Sequence, residues 1–190
     1  MRWLKGKSDK PGSGQPAAAR REGDATAEAV IDYTGRLFGE ARHMGMLVRA
    51  RQPSLDDMYM FLICRESLYL FVHITRRLLT AAAVAPQRRQ QLSDQIIGLC
   101  ALYLYPPNEG VPAQQESYRT EIVEANRNRN RAYYQDVEET GDVAHQLHRL
   151  CMGYAGALAE LCKVEPDVLI DLVVPRIETL QAWQFAIQAR

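Results

Sequence analysis

The residues best placed to do chemistry lie along one side of a strongly apolar segment. The segment from Met58 to Ile74 is rich in Leu, Phe, Met and Ile, with charged residues near its middle. At about 100° per residue, its polar residues and those of the next turn project onto one side of a helix. A carboxylate, a phenol, an imidazole and two guanidinium groups in that position could shift one another's pKa values or hold a ligand. This polar stripe consists of Arg65, Glu66, Tyr69, His73 and Arg77.

The polar stripe is compatible with two arrangements. If it faces the interior, its charges need partners, because an uncompensated buried ion costs several kcal/mol. A network of this kind could line a ligand pocket or a catalytic cleft. If the stripe faces solvent, Arg65 and Glu66 are satisfied at the surface. We expect the solvent-facing arrangement and keep a ligand site on the stripe as the alternative.

Two other segments have spacings that occur in metal sites. Glu40 and His43 form a Glu-x-x-His pair, and Asp142 and His145 form a looser analogue of it. Bundles that hold two metals use such pairs on facing helices. However, His145 projects roughly 160° away from Leu147, the centre of the apolar side of its helix. A ligand pair that faces solvent cannot close an interior site, so we predict no bound metal and no cofactor.

The four cysteines, Cys64, Cys100, Cys151 and Cys162, form no Cys-x-x-Cys pair. A zinc ribbon or a thioredoxin-like motif is therefore excluded. Each cysteine lies among apolar residues, which is typical of free thiols in a core. We expect a reducing compartment and predict a cytoplasmic location.

No motif dictates an enzymatic reaction, and none resembles a known family closely enough to name it. The sequence contains no Gly-x-Ser-x-Gly elbow, no glycine-rich phosphate loop and no zinc-protease helix. A helical enzyme can still assemble its site from scattered residues. The pattern favours a protein that is not an enzyme.

The charge distribution argues against a nucleic-acid partner. The chain has 23 Lys+Arg and 23 Asp+Glu, so it has no global electrostatic attraction for nucleic acid. One basic run, 126–134, alternates Asn and Arg before Ala132 and two tyrosines. On a helix Arg127 and Arg131 share a side, whereas Arg129 does not. We interpret this run as a solvated helix.

Residues 1–23 are predicted to be a disordered basic tail before a single domain spanning 24–190. The tail combines Pro, Gly, Ser and Lys and offers little apolar surface to bury. Its deletion should leave the thermal midpoint nearly unchanged. Its first residues, Trp3, Leu4, Lys5 and Lys7, could make a weak contact with an anionic membrane surface.

The remainder of the chain predicts an all-α fold. Apolar residues recur at three-four spacing, and no segment alternates as a strand would. Asp24, Ser54 and Pro86 predict helix starts, and Pro175 is expected to kink or split the last helix. Short polar connections predict about six helices in an antiparallel up-and-down bundle. The clearest stripe consists of Val143, Leu147, Leu150, Cys151, Tyr154, Leu158 and Leu161.

The functional prediction follows from this architecture. We expect a non-enzymatic helical bundle that binds another protein, or a second copy of itself, through an exposed helical face. One alternative is a helical enzyme or small-ligand-binding protein that uses the polar stripe. A second is a peripheral membrane adaptor tethered by the basic N-terminal tail.

Overall fold

The computed structural model describes residues 17–106, 112–132 and 142–189, with the side chains of 27–106, 116–126 and 142–189. Within these ranges the regular secondary structure is entirely helical, and the predicted all-α antiparallel bundle is confirmed. The helices are α1 (Ala17–Arg51), α2 (Asp57–Ala81), α3 (Pro86–Leu104), α4 (Pro112–Ala132), α5 (Val143–Cys162), α6 (Pro166–Thr179) and α7 (Ala182–Gln188).

The first helix begins earlier than predicted. It starts at Ala17 rather than at Asp24, so the last residues of the predicted tail belong to α1. Residues 1–16, which include the possible membrane contact at Trp3, Leu4, Lys5 and Lys7, lie outside the described residues. The disordered tail and the membrane contact stay predictions.

Helix α1 packs one apolar face onto the bundle. The face follows the three-four spacing of an amphipathic helix. It contacts α2, α3 and α6. Its buried residues are those that the periodicity predicts, namely Val30, Tyr33, Leu37, Ala41, Met44 and Val48.

Helix α2 lies at the centre of the bundle. Asp56, and not Ser54 as predicted, caps its start by accepting a hydrogen bond from the Tyr59 backbone N–H at 3.1 Å. Helices α1, α3, α5 and α7 pack around it, and α4 also contacts it. Because neighbours cover it on several sides, α2 is buried over most of its circumference. No helix within the described ranges combines the length and apolarity that a bilayer span requires.

A tight turn reverses the chain between α2 and α3. Ala83 has a φ of 58°, and its N–H donates to the Thr80 carbonyl at 2.9 Å. The Val84 N–H donates to the Leu79 carbonyl at 3.1 Å, which completes a Schellman motif. Pro86 then opens α3 as predicted. This turn places the first turns of α3 beside the last turns of α2.

The C-terminal helices differ from the prediction at one point. Pro175 lies inside α6, which continues through it to Thr179. The chain breaks instead at Leu180 and Gln181, where Gln181 has a φ of 52°. Pro175 therefore does not split the helix, and a kink at this residue stays a prediction. Because α7 takes a new direction, Phe185 stacks on Tyr33 of α1 with ring centroids 4.0 Å apart.

The four cysteines are free and buried in the core. Burial raises the pKa of Cys64, Cys151 and Cys162 to about 11. Burial raises the pKa of the Cys100 thiol still further. These thiols stay protonated at neutral pH, so they act as small core hydrophobes and not as activated nucleophiles.

Candidate functional site

The polar stripe of α2 is mostly inside the protein. Glu66, Tyr69, His73 and Arg77 are buried, and Arg65 is partly buried. The expectation that the stripe faces solvent is wrong. The stripe is buried because α2 lies at the centre of the bundle. Neighbouring helices cover its polar side as well as its apolar side.

The charges at the start of the stripe are paired with each other. The Arg65 guanidinium donates to the Glu66 carboxylate at 3.4 Å, and the two side chains are 22% and 7% exposed. This pairing offsets part of the cost of removing the carboxylate from water. Glu66 is therefore compensated by its own neighbour in sequence.

The imidazole of His73 ties α2 to α4. It makes a hydrogen bond with the backbone of Asn126, a buried residue of α4. The pKa of His73 is lowered from 6.5 to about 3, mainly by burial and also by the charges of Arg76 and Arg77, while the hydrogen bond to Asn126 partly opposes the shift. His73 is neutral at pH 7. Burial is the largest of these effects.

Aromatic rings extend the stripe towards the end of α3. Tyr105 stacks on Tyr118 of α4 with centroids 4.9 Å apart, and Phe61 of α2 meets Tyr105 edge-on at 5.7 Å. Burial raises the pKa of Tyr105, the Glu121 carboxylate adds to this rise, and the Arg65 charge opposes it. The polar stripe and these rings form a seam between α2, the end of α3 and α4. Through this seam α4 contacts α2 and α3.

A cavity of about 670 Å³ lies between α1, α3 and α4, and none of the stripe residues lines it. Its floor is apolar and includes small residues on two of the helices. We call it the α1–α3–α4 groove. Its apolar and small lining residues are Ala27, Val30, Ile31, Gly98, Leu99, Ala101, Leu102 and Val123.

The polar lining of the groove is predominantly acidic. It contains the carboxylates of Asp94, Glu116 and Glu124 and one guanidinium, that of Arg119. Arg119 pairs with Glu116 at 3.4 Å. The carboxylates of Asp94 and Glu124 therefore leave a negative rim around an apolar floor.

This groove was not predicted from the sequence. Its floor depends on Ala27, Gly98 and Ala101, whose small side chains leave space between the helices. A Cβ atom added at Gly98 would meet nothing within 4 Å. A glycine in the middle of α3 was the available signal, because a helix interior disfavours glycine unless packing or function requires it.

The other candidate residues are distributed around the bundle. His145 is exposed, as its projection predicts, and His148 is exposed as well. Glu40 lies 3.6 Å from Arg176 of α6 in an ion pair. The side chains of Arg127, Arg129 and Arg131 lie outside the described residues. Among the described residues, no group of three or more His, Cys, Asp and Glu side chains could hold a metal ion.

The α1–α3–α4 groove is thus an open apolar feature of the described bundle, and the polar stripe belongs to the interior of the bundle. No protein-family model matches this chain, and neither a curated protein nor a solved structure is significantly similar to it.

Proposed function

We propose that this protein is a non-enzymatic helical bundle that binds an amphipathic helix of a partner protein in the α1–α3–α4 groove. The observation that carries the proposal is an apolar cavity of about 670 Å³ bounded by three helices and rimmed by carboxylates. Helix-in-groove recognition uses apolar anchors at i, i+3, i+4 and i+7 that enter such a groove.

The shape of the groove supports a helical occupant. Val30 and Ile31 contribute one wall from α1, Leu99 and Leu102 the floor from α3, and Val123 the opposite wall from α4. Ile31 is 48% exposed, although it lies beside the buried core residue Val30. An apolar surface that is open between helices gains free energy when a partner covers it.

The rim supports a basic partner. Among the described residues of the lining, the one cation, Arg119, pairs with Glu116. Asp94 accepts a hydrogen bond from the neutral Gln90 amide, and so Asp94 and Glu124 keep their negative charge at the rim. Complementary charges around an apolar contact fix its orientation and speed association. We therefore expect lysine or arginine residues beside the apolar face of the partner helix.

The polar stripe has less support as a ligand site. Arg65 and Glu66 pair with each other, and His73 bonds to the backbone of α4. The first contact pairs two charges within α2, and the second joins α2 to α4. The groove instead provides open volume, and it is the surface that we propose for recognition.

Filling the groove at Gly98 should abolish binding without unfolding the bundle. Gly98→Leu places a side chain into open space, and replacing a helical glycine removes a cost of about 0.5–1 kcal/mol relative to alanine. We expect the variant to be at least as stable as the wild type. The probe is a fluorescent synthetic helix with Leu at i, i+3, i+4 and i+7 and lysines on its other face. Its affinity, measured by anisotropy, should fall by about tenfold or more.

Two matched controls define the result. Gly98→Ala gives a similar gain in helix propensity but adds only a methyl group, so the probe should still bind. A peptide with the same leucines and glutamates in place of lysines should bind more weakly than the basic peptide. Equal binding of the basic peptide to wild type and to Gly98→Leu would show that the groove is not the site. Analytical ultracentrifugation of wild type and Gly98→Leu tests whether a second copy of this chain occupies the groove. A wild-type dimer that the variant does not form would show that the occupant is this chain and not a partner helix.

A further inference from the structure

A second feature lies at the opposite end of α3, where the α2–α3 turn gathers positive charge. Between Glu66 and Asp94 the sequence has no acidic residue, and it contains Arg76, Arg77, Arg88 and Arg89. Two of these arginines lie near the end of α2 and two lie in the first turns of α3. Because the Schellman turn folds α3 back beside α2, Arg76 and Arg89 lie at the same corner of the bundle.

A small polar pocket of about 160 Å³ lies at this corner. Arg76 and Thr80 of α2 line one side, and Arg89, Gln90 and Ser93 line the other, with Pro86 at the end. No carboxylate lines it. The pocket is open to solvent beside the exposed residues Pro86 and Gln90.

The hydrogen bonds around the pocket leave guanidinium donors for a ligand. The Thr80 hydroxyl donates to the Arg76 carbonyl at 3.0 Å and accepts one bond from the Arg89 guanidinium. The Ser93 hydroxyl donates to the Arg89 carbonyl at 2.8 Å. A guanidinium has five N–H donors, so the bond to Thr80 positions Arg89 and leaves most of its donors available.

Among the described residues, no carboxylate forms an ion pair with the arginines that line this pocket, Arg76 and Arg89. The field of the corner reaches one turn back along α2, where Arg76 and Arg77 help to lower the pKa of His73. Two guanidinium groups at one pocket repel each other unless an anion lies between them.

We propose that this pocket binds a phosphate group through Arg76 and Arg89. A phosphate dianion balances two guanidinium charges, and its oxygens accept paired N–H bonds from each group. The positive end of the α3 dipole, whose N-cap residue Ala85 supplies no side-chain cap, adds to the attraction. The same chemistry fits a soluble phosphomonoester and the exposed headgroup of a phosphatidic acid. This site is separate from the α1–α3–α4 groove and does not depend on the function proposed for it.

Titration of the full chain with inorganic phosphate and with glycerol 3-phosphate tests the proposal. Amide shifts of residues 76–93 followed by NMR at constant ionic strength should change saturably with phosphate and not with chloride. Arg76→Gln and Arg89→Gln should each weaken binding by about tenfold or more. Arg51→Gln removes one charge from the exposed end of α1, away from the pocket, and should change the affinity by less than about twofold.

Vesicles distinguish the source of the phosphate. Cosedimentation with phosphatidic-acid vesicles, against phosphatidylcholine vesicles as the control, tests the lipid headgroup. Binding of the soluble phosphates that depends on Arg76 and Arg89 supports a soluble ligand. Vesicle binding with the same dependence, and no saturable binding of soluble phosphate, supports the lipid headgroup.

Since Arg89 also bonds to Thr80, Arg76→Gln is the decisive variant. Phosphate binding that is unaffected by Arg76→Gln, or the absence of binding in both arms, overturns the proposal.

Discussion

Leu158→Ala is expected to lower the free energy of unfolding by about 2–5 kcal/mol, the range for truncation of a fully buried leucine. Leu158 is 0% exposed on α5, which packs between α2 and α6. The substitution removes three buried carbon atoms and leaves a cavity that helices on both sides must tolerate. Denaturant unfolding of both proteins followed by circular dichroism measures the difference.

Leu147→Ala is the matched control on the same helix. The helical projection places Leu147 on the same stripe as Leu158, but Leu147 is only partly buried in the structure. Its truncation should cost less than that of Leu158, because solvent or side-chain movement fills the space. Equal losses at the two positions, or a loss at Leu158 below about 0.5 kcal/mol, would contradict the packing of α5.

The stability of the protein should fall as the pH is lowered from about 6.5, and His73 should account for a large part of the loss. Its pKa is about 3 in the folded protein and 6.5 as an ordinary imidazole. Between these values the unfolded chain binds a proton that the folded protein excludes. The unfolded state therefore gains about 1.4 kcal/mol per pH unit from this group. Above pH 6.5 His73 contributes no pH dependence, because it is neutral in both states.

His73→Gln isolates this contribution. Glutamine is neutral at every pH and keeps an N–H donor that can reach the backbone of Asn126. Denaturant unfolding at pH 7.5 and pH 4.5 should show that wild type loses about 2–3 kcal/mol more than the variant over this interval. The other histidines contribute equally to both proteins. Parallel pH profiles would mean that the imidazole is solvated, and the burial of the polar stripe at His73 would be contradicted.

The outer helices were predictable because each has one covered face. In α1 the residues from Val30 to Val48 that repeat at three-four spacing are the buried ones. Neighbours cover one side of such a helix, so periodicity alone separates inside from outside. The Pro86 start of α3 was also predictable, because it depends on local backbone chemistry.

The interior of α2 was not predictable in the same way. The projection correctly grouped Glu66, Tyr69 and His73 on one side of the helix, but it could not determine what covers that side. The structure covers it with α4, through the bond from His73 to the Asn126 backbone. A polar face beside another helix and a polar face beside water have the same periodicity.

By itself, the sequence determined the helical class, the Pro86 start of α3, the α1 core face and the burial of the cysteines, because these follow from local propensity, capping and apolar spacing. The tertiary structure alone decided the α1–α3–α4 groove and the Arg76–Arg89 pocket. Gly98 leaves a groove only because α1 and α4 lie on either side of it. Arg76 and Arg89 line one pocket only because the turn at Ala83 reverses the chain. Both sites depend on distances between helices, and a one-dimensional pattern contains no such distances.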